Sequence, residues 1–315
     1  MKAIRIHTYG GSEALVYEDA PRPEITDDEV LIKVHAAAVN PSDWKVRAGY
    51  FQTMVALPLP LTLGFDLSGV VTAIGKDVTS VAVGDAVYGN SNLMRQGAYA
   101  EYAALSVTEV ARKPTTIDHV AAAAVPAAGL TAWQALEASG LQAGQTILIH
   151  GAAGGVGTFA VQFALAKGAR VLGTASANNA AFLHELGVAE VIDYTATRFE
   201  DVARDVDVVL DTIGGEVLER SWAVLRPGGT LVTIAGQVDP AAAEARGVRG
   251  IFVMTAPNAG AQLTEIAALI DAGSVQPVVS TILPLAEARA AHEFSESGHT
   301  RGKIVLRVVE EGEFA

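Results

Sequence analysis

The chain has 315 residues, of which 50% are hydrophobic and 18% charged, so it predicts a folded protein with room for two domains and excludes a disordered one. A formal net charge of −13 argues against nucleic acid or an anionic membrane as partner, and the absence of cysteine excludes disulfide bonds and thiolate zinc sites. The first residues lack the apolar core of a signal peptide, and we expect a cytoplasmic protein.

The first part of the chain predicts a mostly β domain. Strands are expected at 3–6, 30–36, 69–74 and 86–88. Many short strands separated by turns rich in glycine and aspartate favour a partly closed barrel. Between residues 40 and 51 the strand pattern is lost, in NPSDWKVRAGYF, and we predict a polar loop of the kind that often carries function.

The stretch TILIHGAAGGVG at 146–157 predicts a dinucleotide-binding turn. An uncharged strand at 147–149 leads into glycines and then into a helix at 155–167. Glycines let the backbone approach a pyrophosphate, and the N-terminus of the helix attracts its negative charge. Further strands are expected at 170–176, 191–194, 206–211 and 230–234, with helices at 180–186 and 217–225 between them. This alternation predicts a doubly wound parallel sheet.

The last part of the chain does not continue the alternation. After a strand at 251–254 and an amphipathic helix at 262–272, two more strands are expected, at 280–283 and 303–308. We predict that they complete the sheet of the first domain. The predicted division is therefore a first domain of residues 1–118, completed by 275–315, and a nucleotide-binding domain of residues 119–274.

Seven short motifs resemble the medium-chain dehydrogenase/reductases, and within them the zinc-free quinone oxidoreductase branch. They are NPSD (40–43), GFDLSGVV (64–71), VGDAVYG (83–89), GAYAEYA (97–103), PAAGLTAWQAL (126–136), GAAGGVG (151–157) and GKIVL (302–306). The resemblance implies an α/β fold, with a GroES-like partly closed β-barrel domain and a Rossmann domain built on a doubly wound parallel sheet.

The same resemblance implies that no metal is bound. Zinc members of the superfamily place a Cys in the loop where Asn40 to Asp43 stand, and a His-Glu pair where Phe65 and Asp66 stand. The seven histidines show no metal-ligand spacing. Without zinc as a Lewis acid, alcohol oxidation loses its usual driving chemistry. Reduction of a quinone or an enone needs only hydrogen bonds to the oxygen that gains charge.

The resemblance also implies the site residues. It places the loop with Asn40 and Lys45 in the cleft where nicotinamide meets substrate, and Lys45 and Thr131 against the cofactor. We single out Asn40, Asp43, Lys45 and Tyr50 for substrate contact, and predict that Asn40, Lys45 and Tyr50 are catalytic. The alternatives are that Asp43 caps a short helix, that Lys45 is merely solvated and that Thr131 is a buried helix residue. The other cofactor residues lie in the glycine turn and at later strand ends: Gly154, Gly155, Val156, Gly157, Ser176, Asn178, Asn179, Tyr194, Ile234, Ala235, Phe252, Val253, Gly302 and Lys303.

The cofactor is predicted to be NADPH. NAD-specific sites carry an acidic residue at the end of the second strand, and here the next acid after that strand is Glu185. Donors at Ser176, Asn178, Asn179 and Tyr194 suit a 2′-phosphate instead. Relatives usually have a Lys at 178 or 179, so we expect a weaker preference than theirs, with Arg301 or Lys303 supplying the missing charge.

We therefore predict an NADPH-dependent, zinc-independent reductase of a small-molecule quinone or enone. An enoyl-thioester reductase is one alternative, and an NADPH-binding structural or regulatory protein with little turnover is another. A short-chain dehydrogenase is excluded, because none of the seven tyrosines has a Lys four positions on. The uncharged strand at 251–254 predicts an edge strand, and relatives pair it across a homodimer, so we expect a dimer.

Overall fold

The computed structural model describes residues 1–95 and 97–309. Numbered along the chain, its strands are β1 (Lys2–Ile6), β2 (Val16–Asp19), β3 (Glu29–Val39), β4 (Leu61–Thr62), β5 (Asp66–Ile74), β6 (Ala86–Asn90), β7 (Tyr102–Ser106), β8 (Val110–Arg112), β9 (Thr146–Ile149), β10 (Arg170–Ala175), β11 (Glu190–Asp193), β12 (Val206–Asp211), β13 (Leu225–Thr233), β14 (Arg249–Phe252), β15 (Val279–Pro284) and β16 (Lys303–Arg307). Its α-helices are α1 (Pro41–Arg47), α2 (His119–Ala123), α3 (Pro126–Ser139), α4 (Gly155–Ala166), α5 (Ala180–Glu185), α6 (Phe199–Val202), α7 (Gly215–Ser221), α8 (Pro240–Glu244), α9 (Gly260–Asp271) and α10 (Ala288–Glu296). Within these described residues, no helix is long and apolar enough to cross a membrane.

The chain divides into two compact units. The first comprises residues 1–127, 256–273 and the described chain from Pro277 onwards, and the second comprises residues 128–255 and 274–276. The division differs from the predicted one chiefly in α9, which belongs to the first unit. Its backbone at Leu263 accepts a hydrogen bond of 2.5 Å from the buried Tyr88 hydroxyl, and Asp271 accepts two from Thr116. An amphipathic sequence pattern shows that a helix has an apolar face, but not which sheet that face will cover.

The first unit is built on mostly antiparallel sheets, in which only β15 and β16 among the described strands pair in parallel. Its seven-stranded sheet has the order β15-β16-β3-β5-β6-β8, with β7 also paired to β3, and a three-stranded sheet has the order β2-β1-β4. β1 also bonds the segment just before β7, through Ile4 N–H to Tyr99 O and Glu101 N–H to Lys2 O, and this connects the two sheets. β16 pairs with β3, so the predicted return of the chain to the first sheet is confirmed. The core between them is aliphatic, and its fully buried members include Ile6, Ile32, Leu63, Leu67 and Leu105.

The second unit contains a six-stranded parallel sheet in the order β11-β10-β9-β12-β13-β14. β9 lies in the middle, with β10 on one side and β12 on the other. The strand order reverses between them, and ligands of open α/β sheets bind at the carboxyl ends of the strands at such a reversal. β14 is an edge strand, as predicted.

The prediction of a loop at 40–51 was wrong for its first part, because Pro41–Arg47 forms α1. Proline is favoured at the first helical position, and the Asp43 carboxylate accepts the backbone N–H of Asn40 at 2.7 Å. Arg47, the last residue of α1, is buried and pairs with Glu296 at 2.6 Å. The polar residues that made this stretch resemble a loop are in part the residues that hold it as a helix.

Candidate active site

The glycine turn joins β9 to α4 and is closed by a 2.9 Å hydrogen bond from Gly154 N–H to the Gly151 carbonyl. Gly151 adopts a φ of +66°, which favours glycine. A side chain at Gly157 would collide with the Gly151 carbonyl oxygen and come within 2.8 Å of the Ala152 backbone. The first N–H groups of α4 have no acceptor within the helix. The turn therefore fits the pyrophosphate of a dinucleotide, held by backbone N–H groups at a helix N-terminus.

His150 directly precedes this turn, and its buried ring links three elements. Nδ1 lies 3.1 Å from Thr174 Oγ1, and Nε2 lies 3.0 Å from Ser221 Oγ. The Ser221 hydroxyl donates to the Val217 carbonyl at 2.6 Å, so it must accept from a protonated Nε2. Nδ1 then accepts from Thr174, whose oxygen in turn accepts the Gly151 N–H at 3.2 Å. Burial lowers the pKa of His150 to about 4, and the ring is neutral at neutral pH.

Asp211, at the end of β12, organises the other side of the strand reversal. Its fully buried carboxylate accepts the Gly214 N–H at 3.0 Å and the Thr233 hydroxyl at 2.7 Å. The neighbouring Thr212 hydroxyl donates to the His150 carbonyl at 2.8 Å. The ends of β9, β12 and β13 are therefore tied together by hydrogen bonds. Neither His150 nor Asp211 was predicted from the sequence. A polar residue that ends an apolar strand beside a glycine turn is the signal that could have indicated them.

The residues predicted to hold the 2′-phosphate lie at the ends of neighbouring strands. Ser176, Asn178 and Asn179 follow β10, and the Asn179 amide donates to Ser176 Oγ at 3.1 Å. Tyr194 follows β11, its side chain is 57% exposed, and its N–H bonds the Ala175 carbonyl at 3.3 Å. The donors after β10 and the donor after β11 therefore lie together at the C-terminal ends of these two strands.

One acidic residue at this edge went unnoticed in the sequence. Asp193 is the last residue of β11 and pairs in register with Ala175 of β10. Its carboxylate accepts the N–H and the hydroxyl of Thr195, at 3.0 and 2.8 Å. Because these bonds turn the carboxylate onto its own loop, it differs from the ribose-binding acid at the end of the second strand in NAD-specific sites.

Four of the remaining cofactor residues predicted for the second unit lie at the C-terminal ends of strands in the same sheet. Ile234 and Ala235 follow β13, Phe252 ends β14, and Val253 comes next, its N–H bonding Thr233 O at 2.9 Å. Thr131 of α3 shares a hydrogen bond of 2.6 Å with the hydroxyl of Thr255. The parallel sheet therefore brings Ile234, Ala235, Phe252 and Val253 to the C-terminal ends of its strands, where the glycine turn also begins.

Asn40 and Lys303 meet in the interior of the first unit. The Asn40 side chain donates from Nδ2 to Asp66 at 2.9 Å and accepts from Lys303 at Oδ1. Lys303 also donates to the Val39 carbonyl at 3.0 Å and lies 3.5 Å from Asp66. Burial lowers the pKa of Lys303. A contact from Lys303 to a 2′-phosphate remains a prediction from the sequence, and it would require the ammonium group to leave these partners.

Gly302 and Asp43 also have roles in packing and capping. Gly302 has a φ of +61°, and a side chain there would collide with the Val278 carbonyl. Asp43 is fully buried, and the oxygen that caps α1 also accepts the Tyr99 hydroxyl at 2.9 Å. Burial raises the pKa of Asp43 to about 7. The alternative interpretation of Asp43 as a helix cap is confirmed.

Lys45 and Tyr50 lie together around Trp44. The Lys45 ammonium is 5.5 Å from the centre of the Trp44 ring, and the Tyr50 ring meets the Trp44 ring edge-on at 6.0 Å. The Tyr50 side chain is 66% exposed. The structure therefore brings two of the three predicted catalytic residues together at the surface of the first unit, and it buries the third, Asn40.

Among residues 1–95 and 97–309, no group of three or more His, Cys, Asp or Glu side chains could hold a metal ion. Phe65, which stands where zinc members of the superfamily have His, is 8% exposed and packs in the aliphatic core.

Comparisons with known proteins cover nearly the whole chain. A family model described as an alcohol dehydrogenase GroES-like domain matches residues 26–115, and one described as a zinc-binding dehydrogenase matches residues 186–306. The chain is 36% identical to 2-methylene-furan-3-one reductase of Solanum lycopersicum, over 98% of this chain and 79% of the relative. It is 37% identical to the chloroplastic NADPH-dependent alkenal/one oxidoreductase of Arabidopsis thaliana, over 97% and 79%. The solved structure of a quinone oxidoreductase from Coxiella burnetii superposes with a TM-score of 0.90 at 36% identity, over 98% of this chain and 99% of that one.

Proposed function

We propose which residues bind the cofactor and which bind the acceptor. The premise is that this chain belongs to the zinc-free quinone oxidoreductase branch of the medium-chain dehydrogenase/reductase superfamily. The chain is an oxidoreductase that uses NADPH and transfers hydride to a quinone or another α,β-unsaturated carbonyl acceptor. The observation that carries the assignment is the glycine turn, whose closed backbone and helix N-terminus lie at the strand reversal of a parallel sheet.

The second unit supplies the cofactor site. Backbone N–H groups from Gly154 to Gly157, at the end of the turn and the start of α4, would hold the pyrophosphate, and His150 fixes the backbone on which the turn begins. Ser176, Asn178, Asn179 and Tyr194 would hold the 2′-phosphate with hydroxyl and amide donors. When NADPH is bound, its nicotinamide supplies the hydride, and the protein's part is to orient it and exclude water.

The first unit supplies the acceptor side. Hydride addition to the β carbon of an enone places negative charge on the carbonyl oxygen, and a positioned hydrogen-bond donor or cation lowers the cost of that charge. Lys45, which is half-buried, and Tyr50, which is exposed, carry such groups. In the overall reaction, hydride and one proton reduce the acceptor by two electrons, and the proton reaches the α carbon of the enone or an oxygen of the quinone.

We further propose a homodimer formed through β14. This strand ends one side of the six-stranded sheet, and its Phe252 side chain is 38% exposed. The strand begins with the exposed Arg249 and ends with the apolar Ile251 and Phe252. An unpaired edge with such apolar residues invites association. The cytoplasmic location stays a prediction from the sequence.

Steady-state oxidation of NADPH in the presence of a quinone, an alkenal and an enoyl thioester, each tested separately, examines the function. Turnover of the quinone or the alkenal is expected. Reduction of the thioester alone would favour the enoyl-thioester alternative. Tight NADPH binding with turnover of none of the three would favour a regulatory or structural role.

A further inference from the structure

The first unit contains a buried ammonium group, that of Lys303, which has no role in the function proposed above. Lys303, the first residue of β16, is 4% exposed. Its Nζ donates to the Val39 carbonyl at 3.0 Å and to Asn40 Oδ1, and lies 3.5 Å from Asp66 Oδ2. Burying a lysine costs free energy unless its donors are matched, and here three acceptors surround it.

Asp66 collects donors from several segments of the chain. Its Oδ2 accepts the Asn40 amide at 2.9 Å. Its Oδ1 accepts the Asn90 amide and the Ala127 backbone N–H, each at 2.8 Å. The carboxylate is fully buried, so the end of β6, the start of α3 and the start of α1 are all fixed to one group.

Asn40 links Lys303 and Asp66 to the start of α1. Both ends of its side-chain amide are engaged, with Asp66 on the nitrogen and Lys303 on the oxygen, and its backbone N–H is capped by Asp43. Asn40 is the residue that begins α1, so holding it in place fixes both the position of the helix and its rotation about its axis. That rotation decides where the Lys45 side chain points.

We propose that Lys303 and Asp66 form an internal ion pair that positions α1 through Asn40, and with it the acceptor-binding side chains Lys45 and Tyr50. Lys303 and Asp66 are positioning residues that do not touch cofactor or acceptor. The proposal rests on the proposed function for its kinetic consequence, though not for its structural one. It is distinct from the sequence-based prediction that Lys303 binds the 2′-phosphate. That role would remove the donor from the buried Asn40 Oδ1 and the neighbouring cation from the buried Asp66 carboxylate.

The test compares Lys303→Met with Lys76→Met, a matched control in which the same substitution removes an exposed lysine paired to Asp27 at 2.7 Å. In Lys303→Met, kcat/KM for the quinone should fall about tenfold, an effect of positioning rather than of lost chemistry. The ratio of the NADPH and NADH dissociation constants, measured by cofactor fluorescence, should stay as in the wild type. Lys76→Met should change neither quantity.

A second variant and a second readout keep the proposal testable if Lys303→Met folds poorly. Asp66→Asn retains the side-chain size and should give the same kinetic pattern. The double variant should lose about as much as either single variant, because residues that act as a unit are not additive. In all three, hydrogen exchange of the α1 amides should be faster than in the wild type.

Two results would overturn the proposal. A selective loss of NADPH affinity in Lys303→Met, with NADH binding spared, would make Lys303 a 2′-phosphate ligand. Unchanged exchange in α1 would show that the ion pair does not hold the helix. If the wild type reduces no acceptor, the proposed function fails, and the exchange experiment still decides whether the ion pair positions α1.

Discussion

Replacing His150 by leucine tests the hydrogen-bonded chain that leads into the glycine turn. The substitution removes both ring nitrogens from a buried position between Thr174 and Ser221. The Thr174 hydroxyl loses its acceptor, and Ser221 loses the N–H that it accepted. Losing two hydrogen bonds and leaving one buried hydroxyl unpaired should lower the free energy of unfolding of the second unit by about 3 kcal/mol at neutral pH.

The pH dependence of that loss follows from the pKa. Burial lowers the pKa of His150 to about 4, against an ordinary value of 6.5. Above pH 6.5 neither state of the wild type is protonated at this ring, and its full stability is present. As the pH falls from 6.5 towards 4, the unfolded state takes up a proton that the folded state refuses, and stability is lost. At about 1.4 kcal/mol per pKa unit, this loss is about 3 kcal/mol.

The wild type and His150→Leu should therefore converge in acid. Their difference in unfolding free energy should shrink from about 3 kcal/mol above pH 6.5 to nearly zero at pH 4, since leucine has no proton to gain. His119 and His292, whose pKa values burial also lowers, are present in both proteins and cancel from the difference. Denaturant titrations followed by tryptophan fluorescence at several pH values measure it.

His299→Leu, at an exposed position, serves as the control and should leave stability nearly unchanged at every pH. A difference between wild type and His150→Leu that stays constant from neutral pH to pH 4 would refute the reasoning, because the His150 ring would then not be a neutral buried group. A wild-type dissociation constant for NADPH in His150→Leu would show that the ring does not support the turn.

Three further predictions concern the cofactor and the absence of a metal. Gly157→Ala should weaken NADPH binding more than Gly154→Ala. An added methyl group would collide with the Gly151 carbonyl in the first variant, but would approach it only to 3.3 Å in the second. Equal dissociation constants in a cofactor titration would contradict this. Asn178→Lys should tighten NADPH and leave NADH nearly unchanged, since the new charge faces only a 2′-phosphate, and an equal gain for both cofactors would argue against that placement. Dialysis against a strong chelator should leave the rate unchanged, whereas stoichiometric zinc lost together with activity would disprove a metal-free reaction.

The parallel sheet was the easiest part of the fold to predict from the sequence. Its strands are buried on both faces and appear as nearly continuous apolar runs. The predicted strand at 206–211 has the bounds of β12, Val206–Asp211. β2, β4, β7 and β8 were not predicted. β4 has only two residues, and β2 is mostly exposed, so the pairing that makes them strands depends on partners elsewhere in the chain.

In the site too, local features were predicted from the sequence, and contacts between residues far apart in the chain were not. The glycine turn is a local pattern, and the sequence is enough to find it. The pairing of Lys303 with Asp66 joins residues separated by 237 positions, and no spacing in the sequence indicates it. His150 looked like one more isolated histidine, because its partners lie 24 and 71 positions away.

The polar residues predicted for the site in the first unit fall into two groups in the structure. One group is buried and hydrogen-bonded within the protein, and the other lies nearer the surface. Asn40 and Lys303 are buried, and each bonds to the other. Lys45 and Tyr50 lie around Trp44, and the Tyr50 ring is largely exposed. A group that stabilises charge on a substrate must be able to reach it, and a buried amide engaged at both ends would first have to give up its partners. We therefore expect Lys45 and Tyr50 to contact the acceptor, and Asn40 and Lys303 to act only by positioning them.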